Sequence, residues 1–206
     1  MLIQLSDAGK KFNREWIFRG INFSFENGKK YALTGPNGSG KSTLLQVLAG
    51  SMNLSQGQIN WTNTQQPVDA DHIYRYLSLA APYLELIEEM TATEFLQFHA
   101  SFKPLLSGIS IKEITSIIGL EKSAEKQIRY YSSGMKQRLK LAQAIFSDVP
   151  LLLLDEPCTN LDKSGYELYN NLIQDYGRNK TIIVSSNDIH EYEFCETIIY
   201  IPDYKS

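Results

Sequence analysis

Two short runs of this 206-residue chain carry residue types spaced for chemistry. The first is Gly35-Pro36-Asn37-Gly38-Ser39-Gly40-Lys41-Ser42-Thr43, which fits the phosphate-loop pattern G-x-x-x-x-G-K-[ST]. Glycines allow a turn tight enough for successive N–H groups to converge on phosphate oxygens, and a helix starting at the loop directs its positive dipole end there. Lys41 would reach the β- and γ-phosphates of a nucleoside triphosphate, and the Ser42 hydroxyl would ligate Mg²⁺. The second run places Asp155 and Glu156 after four leucines. Asp155 is the candidate for the Mg²⁺ shell and Glu156 for accepting a proton from an attacking water, although two acids also make an ordinary polar strand end.

These residues need a scaffold that brings them together. The phosphate loop lies between a strand-like stretch at 31–34 and a helix-like stretch at 42–49, with Gly50 placed for a left-handed cap. Ile21, Phe23 and Phe25 alternate with polar residues, and Gly28 closes that strand with a turn. Further strands are expected at 58–61, 74–79, 151–154, 181–185 and 197–201. Helical spacing fills 91–102, 111–119 and 133–146, the first opened by the capping box Thr91-x-x-Glu94, and Ser164-x-x-Glu167 suggests another at the head of a helix running to 176. Apolar strands separated by helices predict an α/β fold with a mostly parallel sheet. The expected division is a core of about 1–81 and 148–206, interrupted by a helical subdomain of about 82–147.

Composition narrows the partners. A net charge of −3 and a pI near 5.7 do not point to nucleic acid. The run 149–154 is the longest apolar one and is far short of the ~20 residues of a spanning helix. The start lacks the order of a signal peptide and there are two cysteines, so a cytoplasmic protein is expected. The basic pairs Lys10-Lys11 and Lys29-Lys30 read as solvated surface.

A third segment, Tyr131-Ser132-Ser133-Gly134-Met135-Lys136-Gln137-Arg138, reads either as a capped helix start or as a second anion site. With the phosphate loop, LLLLDEP and the following Thr159-Asn160-Leu161-Asp162, it resembles in order and spacing the Walker A, signature, Walker B and D-loop segments of ABC ATPases, over essentially the whole chain. The resemblance implies a RecA-like core with an N-terminal antiparallel strand region, ATP hydrolysis, and head-to-tail pairing with a second such domain, as homodimer or heterodimer. Each ATP would then lie between one Walker A and the other domain's signature, through Ser132, Ser133, Gly134 and Asp162. It implies a transmembrane permease partner and a place on the cytoplasmic face of the membrane. A non-transport relative, a soluble nucleotide-gated clamp or scaffold, is the alternative.

The resemblance also assigns adenine stacking to Phe12, with Trp16 as rival, and puts Asn187 where the family has a catalytic switch histidine. Asn187 keeps an N–H₂ donor but cannot carry a proton near neutral pH. His190 reads as a solvated residue. Ala80 falls where the family has a glutamine near the metal, and the signature departs from LSGGQ at Tyr131, Ser133 and Met135. The stretch 81–89, with Tyr83, Leu84, Leu86 and Ile87 beside three carboxylates, is either a docking groove for the permease or part of the chain's own core.

Overall fold

Two long strands with alternating burial open the chain, β1 (Leu2–Phe12) and β2 (Glu15–Phe25), joined by a hairpin. After them come β3 (Lys30–Thr34), α1 (Lys41–Leu48), β4 (Gln56–Asn63), β5 (Gln66–Val68) and β6 (Leu77–Ala80). Helices α2 (Ala92–Phe102), α3 (Ile111–Ile117) and α4 (Ser133–Ile145) follow, and β7 (Leu151–Asp155), α5 (Lys163–Tyr176), β8 (Thr181–Ser185) and β9 (Thr197–Tyr200) complete the regular elements. The computed structural model describes residues 1–205.

The strands form two sheets. One has the order β6-β7-β8-β3-β9 with every pairing parallel, and the other has the order β2-β1-β4-β5 with every pairing antiparallel. Every residue of β7 and β8 is buried, so this sheet needs a cover on both faces. On one face α1 and the antiparallel sheet supply it, with Leu44, Leu45 and Leu48 packed among Phe18, Phe25, Tyr31 and Leu33. Trp61 ties the two layers together by donating from Nε1 to the Leu48 carbonyl at 2.9 Å. The opposite face is covered by α2 to α5, through Leu96, Ile114, Leu139, Ile145 and Tyr169 against Leu152, Leu154 and Ile182. Helices α2, α3 and α4 all fall within 82–147. Where β1 bulges, only glycine fits opposite it, because a Cβ on Gly57 (φ +77°) would stand 2.1 Å from the Asp7 carbonyl oxygen.

The Thr91–Glu94 capping box forms, and a second one at Ser110–Glu113, not expected from the sequence, opens α3. Three expectations need correction. Residues 74 and 75 belong to the 3₁₀ turn Ala70–Arg75 rather than to β6, since Tyr76 N–H turns back to Ile73 O at 2.9 Å. Helix α5 is capped by Asp162, whose Oδ1 accepts from Gly165 N–H at 2.9 Å, and Ser164 sits inside the first turn donating to the same carboxylate. A carboxylate is the stronger acceptor at a helix N-terminus, so it takes the capping role. Strand β9 stops at Tyr200 because Pro202 has no N–H to continue a ladder, and the 3₁₀ turn Ile201–Tyr204 begins there.

Under the helical layer lies a polar pocket of bases. Lys180 caps the C-terminus of α4 by donating to the carbonyls of Ile145 and Ser147, and burial lowers its pKa to about 8. His99 Nε2 meets Ser147 Oγ at 2.8 Å, and burial, with Lys103 beside it, lowers the imidazole pKa to about 4. A depressed histidine favours the fold fully above its unfolded pKa near 6.5, and that contribution is lost as pH falls towards about 4. Urea midpoints at about pH 7 and about pH 5 should therefore fall further for wild type than for His99→Gln. Equal falls would show that other groups carry the acid sensitivity.

Candidate active site

Parallel strands all end at one edge, and the chemistry-bearing loops leave from it. The phosphate loop joins β3 to α1, Asp155 closes β7 beside it, and 186–188 follow β8, which pairs with both β7 and β3. Ala80 closes β6, paired with Leu154 next to Asp155.

The loop is shaped by close contacts. Gly40 has φ +105°, and a Cβ there would lie 2.3 Å from Ile17 Cγ2 of β2. Gly35 has φ +137°, with Ser39 Oγ and Pro202 Cδ each 2.8 Å from where its Cβ would be. Both positions thus require glycine for conformation and for space. Pro36, Asn37 and Gly38 stand exposed at the tip. Helix α1 starts from Gly40 with no side-chain cap and no acidic residue in its first turn, so its leading N–H groups are open to an anion. Lys41, 5% exposed, lies against the loop, donating from Nζ to Gly35 O at 2.7 Å. Burial lowers its pKa while the Glu156 and Asp155 charges act in the opposite direction.

Asp155 is 2% exposed and its Oδ1 has no hydrogen-bond partner, as is true of the buried Ser39 and Ser185 hydroxyls. Glu156 projects outward from a left-handed backbone, φ +43°, with its N–H bonded to Ser185 O at 2.8 Å. Asn187 Nδ2 donates to Asn37 Oδ1 at 2.8 Å, bridging the loop after β8 to the tip of the phosphate loop. His190 is exposed. The Ala80 side chain is buried and offers no polar atom. Tyr83, three residues on, lies near the same corner: burial raises its hydroxyl pKa, a hydrogen bond with Gln46 of α1 lowers it, and the Asp155 charge raises it.

Phe12 and Trp16 differ in what already covers them. Phe12 is 46% exposed at the β1–β2 hairpin, opposite Glu15 and close in sequence to Ile17, which touches the phosphate loop. Trp16 packs over Gly9, where a Cβ would lie 2.9 Å from its ring, and is flanked by Lys11 and Arg19. Ser132 caps α4 by accepting from Met135 N–H at 3.3 Å, and Ser133 is exposed beside it. With Gly134, Arg138, Asn160 and Asp162 these serines line a pocket of about 370 Å³. Tyr131 faces the other way, 6% exposed in the core, with its hydroxyl on Ser123 O at 2.6 Å. In the stretch 81–89, Leu86 is 9% exposed and belongs to the core, while Tyr83, Leu84 and Ile87 are exposed. A larger groove of about 940 Å³, beside Asp148, Arg178 and Lys180, adjoins the N-terminal ends of β7 and β8, away from these loops.

Sequence reasoning missed Ile17 and Pro202 as walls of the phosphate loop. Neither carries a local signal, since one lies on a distant strand and the other almost at the C-terminus.

A parallel sheet whose C-terminal edge presents a phosphate loop, an adjoining acidic pair and an anion-ready helix start defines a phosphate-loop nucleoside triphosphatase. The family model "ABC transporter" matches residues 18–159. An uncharacterised ABC transporter ATP-binding protein of Bacillus subtilis, YybJ, is 33% identical over 187 residues, covering 90% of this chain and 85% of its own. The Nod factor export ATP-binding protein I of Burkholderia lata is 29% identical, over 98% of this chain and 68% of its own. Among solved structures, the dimeric bacterial ABC transporter cassette MJ0796 superposes with a TM-score of 0.79 at 25% identity, covering 96% of this chain and 93% of that one. A putative ABC transporter ATP-binding protein from Pyrococcus furiosus shares the fold with a TM-score of 0.83 at 18% identity, covering 100% of both chains. The chain belongs to the ABC transporter ATP-binding family and is an ATP-binding, ATP-hydrolysing subunit of the kind that powers these transporters.

Lys41→Ala should weaken ATP binding by roughly 10- to 100-fold, because a charge-assisted hydrogen bond to phosphate contributes about 1.5 to 3 kcal/mol. Titration with a fluorescent nucleotide measures it, and unchanged affinity would remove Lys41 from the phosphate site.

Proposed function

We propose that ATP binds with its β- and γ-phosphates over free backbone N–H groups of the phosphate loop and the Lys41 ammonium, its adenine stacked on Phe12. The observation that supports this most is the site's geometry: Lys41 buried against the phosphate loop at the uncapped N-terminus of α1, Asn187 bridged to the loop tip, and Asp155 buried with an unpartnered oxygen. Glu156 takes the proton of the attacking water, and Asn187, already turned to the loop tip, donates its amide to the γ-phosphate. Ser42 and Asp155 hold Mg²⁺. The fit is chemical: the Asp155 carboxylate is buried with an unpartnered oxygen, and no group of three or more His, Cys, Asp or Glu residues placed to hold a metal occurs among the described residues. Phosphate oxygens and water would complete the shell, which is the usual arrangement for Mg²⁺. When bound, the ion neutralises charge developing on the phosphoryl oxygens.

In this reading Ser132, Ser133, Gly134 and the D-loop Asp162 close over the ATP of a second ATPase domain, identical or homologous, and hydrolysis releases the pair. The pair works on the cytoplasmic face of a membrane through a transmembrane permease subunit. Among the described residues no helix is long and apolar enough to cross a membrane, so the spanning element must come from elsewhere. The helical layer of 82–147 acts as the subdomain that meets the permease. With Ala80 lacking a polar group and Asn187 lacking a titratable one, basal hydrolysis is slow.

Glu156→Gln should retain ATP binding, slow hydrolysis by roughly 10²- to 10⁴-fold, and prolong the ATP-bound pair seen by size-exclusion chromatography. Hydrolysis at the wild-type rate would remove Glu156 as base. For the docking surface, Ile87→Arg should spare ATPase activity while abolishing co-purification with the permease, since Ile87 is exposed whereas Leu86 is committed to the core. Intact co-purification would place the permease elsewhere.

A further inference from the structure

Backbone groups of three successive residues, the candidate base and the two after it, are each held by a different element. Glu156 N–H donates to Ser185 O of β8 at 2.8 Å. Pro157 O accepts a 2.7 Å hydrogen bond from Nε2 of Gln137, a residue of α4 that is 3% exposed. Cys158 N–H donates at 2.7 Å to Oε1 of Glu191, also 3% exposed. Glu191 ends the 3₁₀ turn Ile189–Glu191 that follows Asn187, and its position is set on both sides. Asp188 Oδ1 caps the turn by accepting from His190 N–H at 3.0 Å, and the buried Tyr169 hydroxyl donates to Glu191 O at 2.8 Å.

Two features make this more than routine capping. Glu156 has φ +43°, a conformation that a residue with a Cβ keeps only where its surroundings impose it. Glu191 is almost wholly buried, so an acidic side chain has been taken from water with its Oε1 fixed on one backbone N–H. An apolar side chain at 191 would avoid that desolvation cost but would leave Cys158 N–H unpaired and the turn free to relax.

We infer that Glu191 and Gln137 are positioning residues for Glu156: a buried acceptor from the switch segment and a buried donor from the signature helix clamp the 156–158 turn and aim its carboxylate at the attacking water. The inference rests on Glu156 acting as general base. It means that a shift of either α4 or the segment after Asn187 is transmitted to the base through one hydrogen bond.

The test uses Glu191→Ala, Glu191→Gln and Gln137→Ala, each alone and combined with Glu156→Gln, with steady-state hydrolysis, fluorescent-nucleotide affinity and melting midpoint measured for all. Glu191→Ala and Gln137→Ala should each lower kcat about 10- to 100-fold, the scale of a misplaced catalytic group. Their KM and nucleotide affinity should stay within about twofold, because the phosphate loop is untouched. Glu191→Gln keeps an oxygen acceptor for Cys158 N–H and should recover most of the rate. In the Glu156→Gln background neither alanine substitution should slow the residual reaction further, since both act through the same carboxylate. Losses that multiply in that background, a Glu191→Gln chain as slow as Glu191→Ala, or a rise in KM that tracks melting midpoint would each overturn the inference. If Glu191→Ala does not fold, Gln137→Ala and Glu191→Gln carry the same comparison. A fast Glu156→Gln chain removes the base and this inference together, whereas a slow Glu156→Gln with fast alanine variants removes this inference alone.

Discussion

Strands that run in one direction must deliver all their outgoing loops to the same edge, and the site depends on that constraint. Here β7, β8 and β3 lie side by side, so the phosphate loop, the acidic pair and Asn187 emerge at one edge, and Asn187 hydrogen-bonds to Asn37, 150 residues away in the chain. The interiors of β7 and β8 are apolar, and their polar residues sit at the strand ends. The price of one polarised edge is that both faces need covers, which is why a short chain carries an antiparallel sheet on one face and four helices on the other.

The two covers also shape the loops. From the antiparallel sheet, Ile17 presses on Gly40, and from the chain's last turn Pro202 presses on Gly35. These contacts leave no room for a side chain at either glycine, so the loop's path is imposed from outside as well as by its own composition. On the helical face, Gln137 reaches from α4 to the turn carrying Glu156. The helical layer thus reaches the same edge as the phosphate loop.

Departures from the family pattern acquire physical reasons in this setting. Tyr131 replaces the signature leucine at a core position, where its ring fills apolar space and its hydroxyl finds the Ser123 carbonyl. A Cβ on Gly134 would stand 3.2 Å from the Asn160 carbonyl oxygen, so the signature and D-loop backbones pack closely together. Asn187 forms the same kind of bridge to the phosphate loop that any amide donor at that place would make. For Met135 in place of the usual glutamine the structure offers only partial packing against the core.

Much of this was legible in the sequence, because the signals involved are local. The phosphate loop announces itself through glycine spacing, since conformation at φ > 0 is a property of single residues; β7 and β8 announce themselves through unbroken apolar runs, and α2 through its capping box. Boundaries governed by competing local bonds were less legible: Asp162 outcompetes Ser164 as the cap of α5, and a 3₁₀ turn takes the expected start of β6. What no local pattern contains is proximity between distant segments. That Trp16 packs over Gly9 while Phe12 stays half exposed with Lys10 over its ring, that Leu86 turns inward while Ile87 turns outward, and that Glu191 and Gln137 meet the turn after Asp155 were decided only when the sheets and helices packed, because each depends on which surfaces the fold excludes from water.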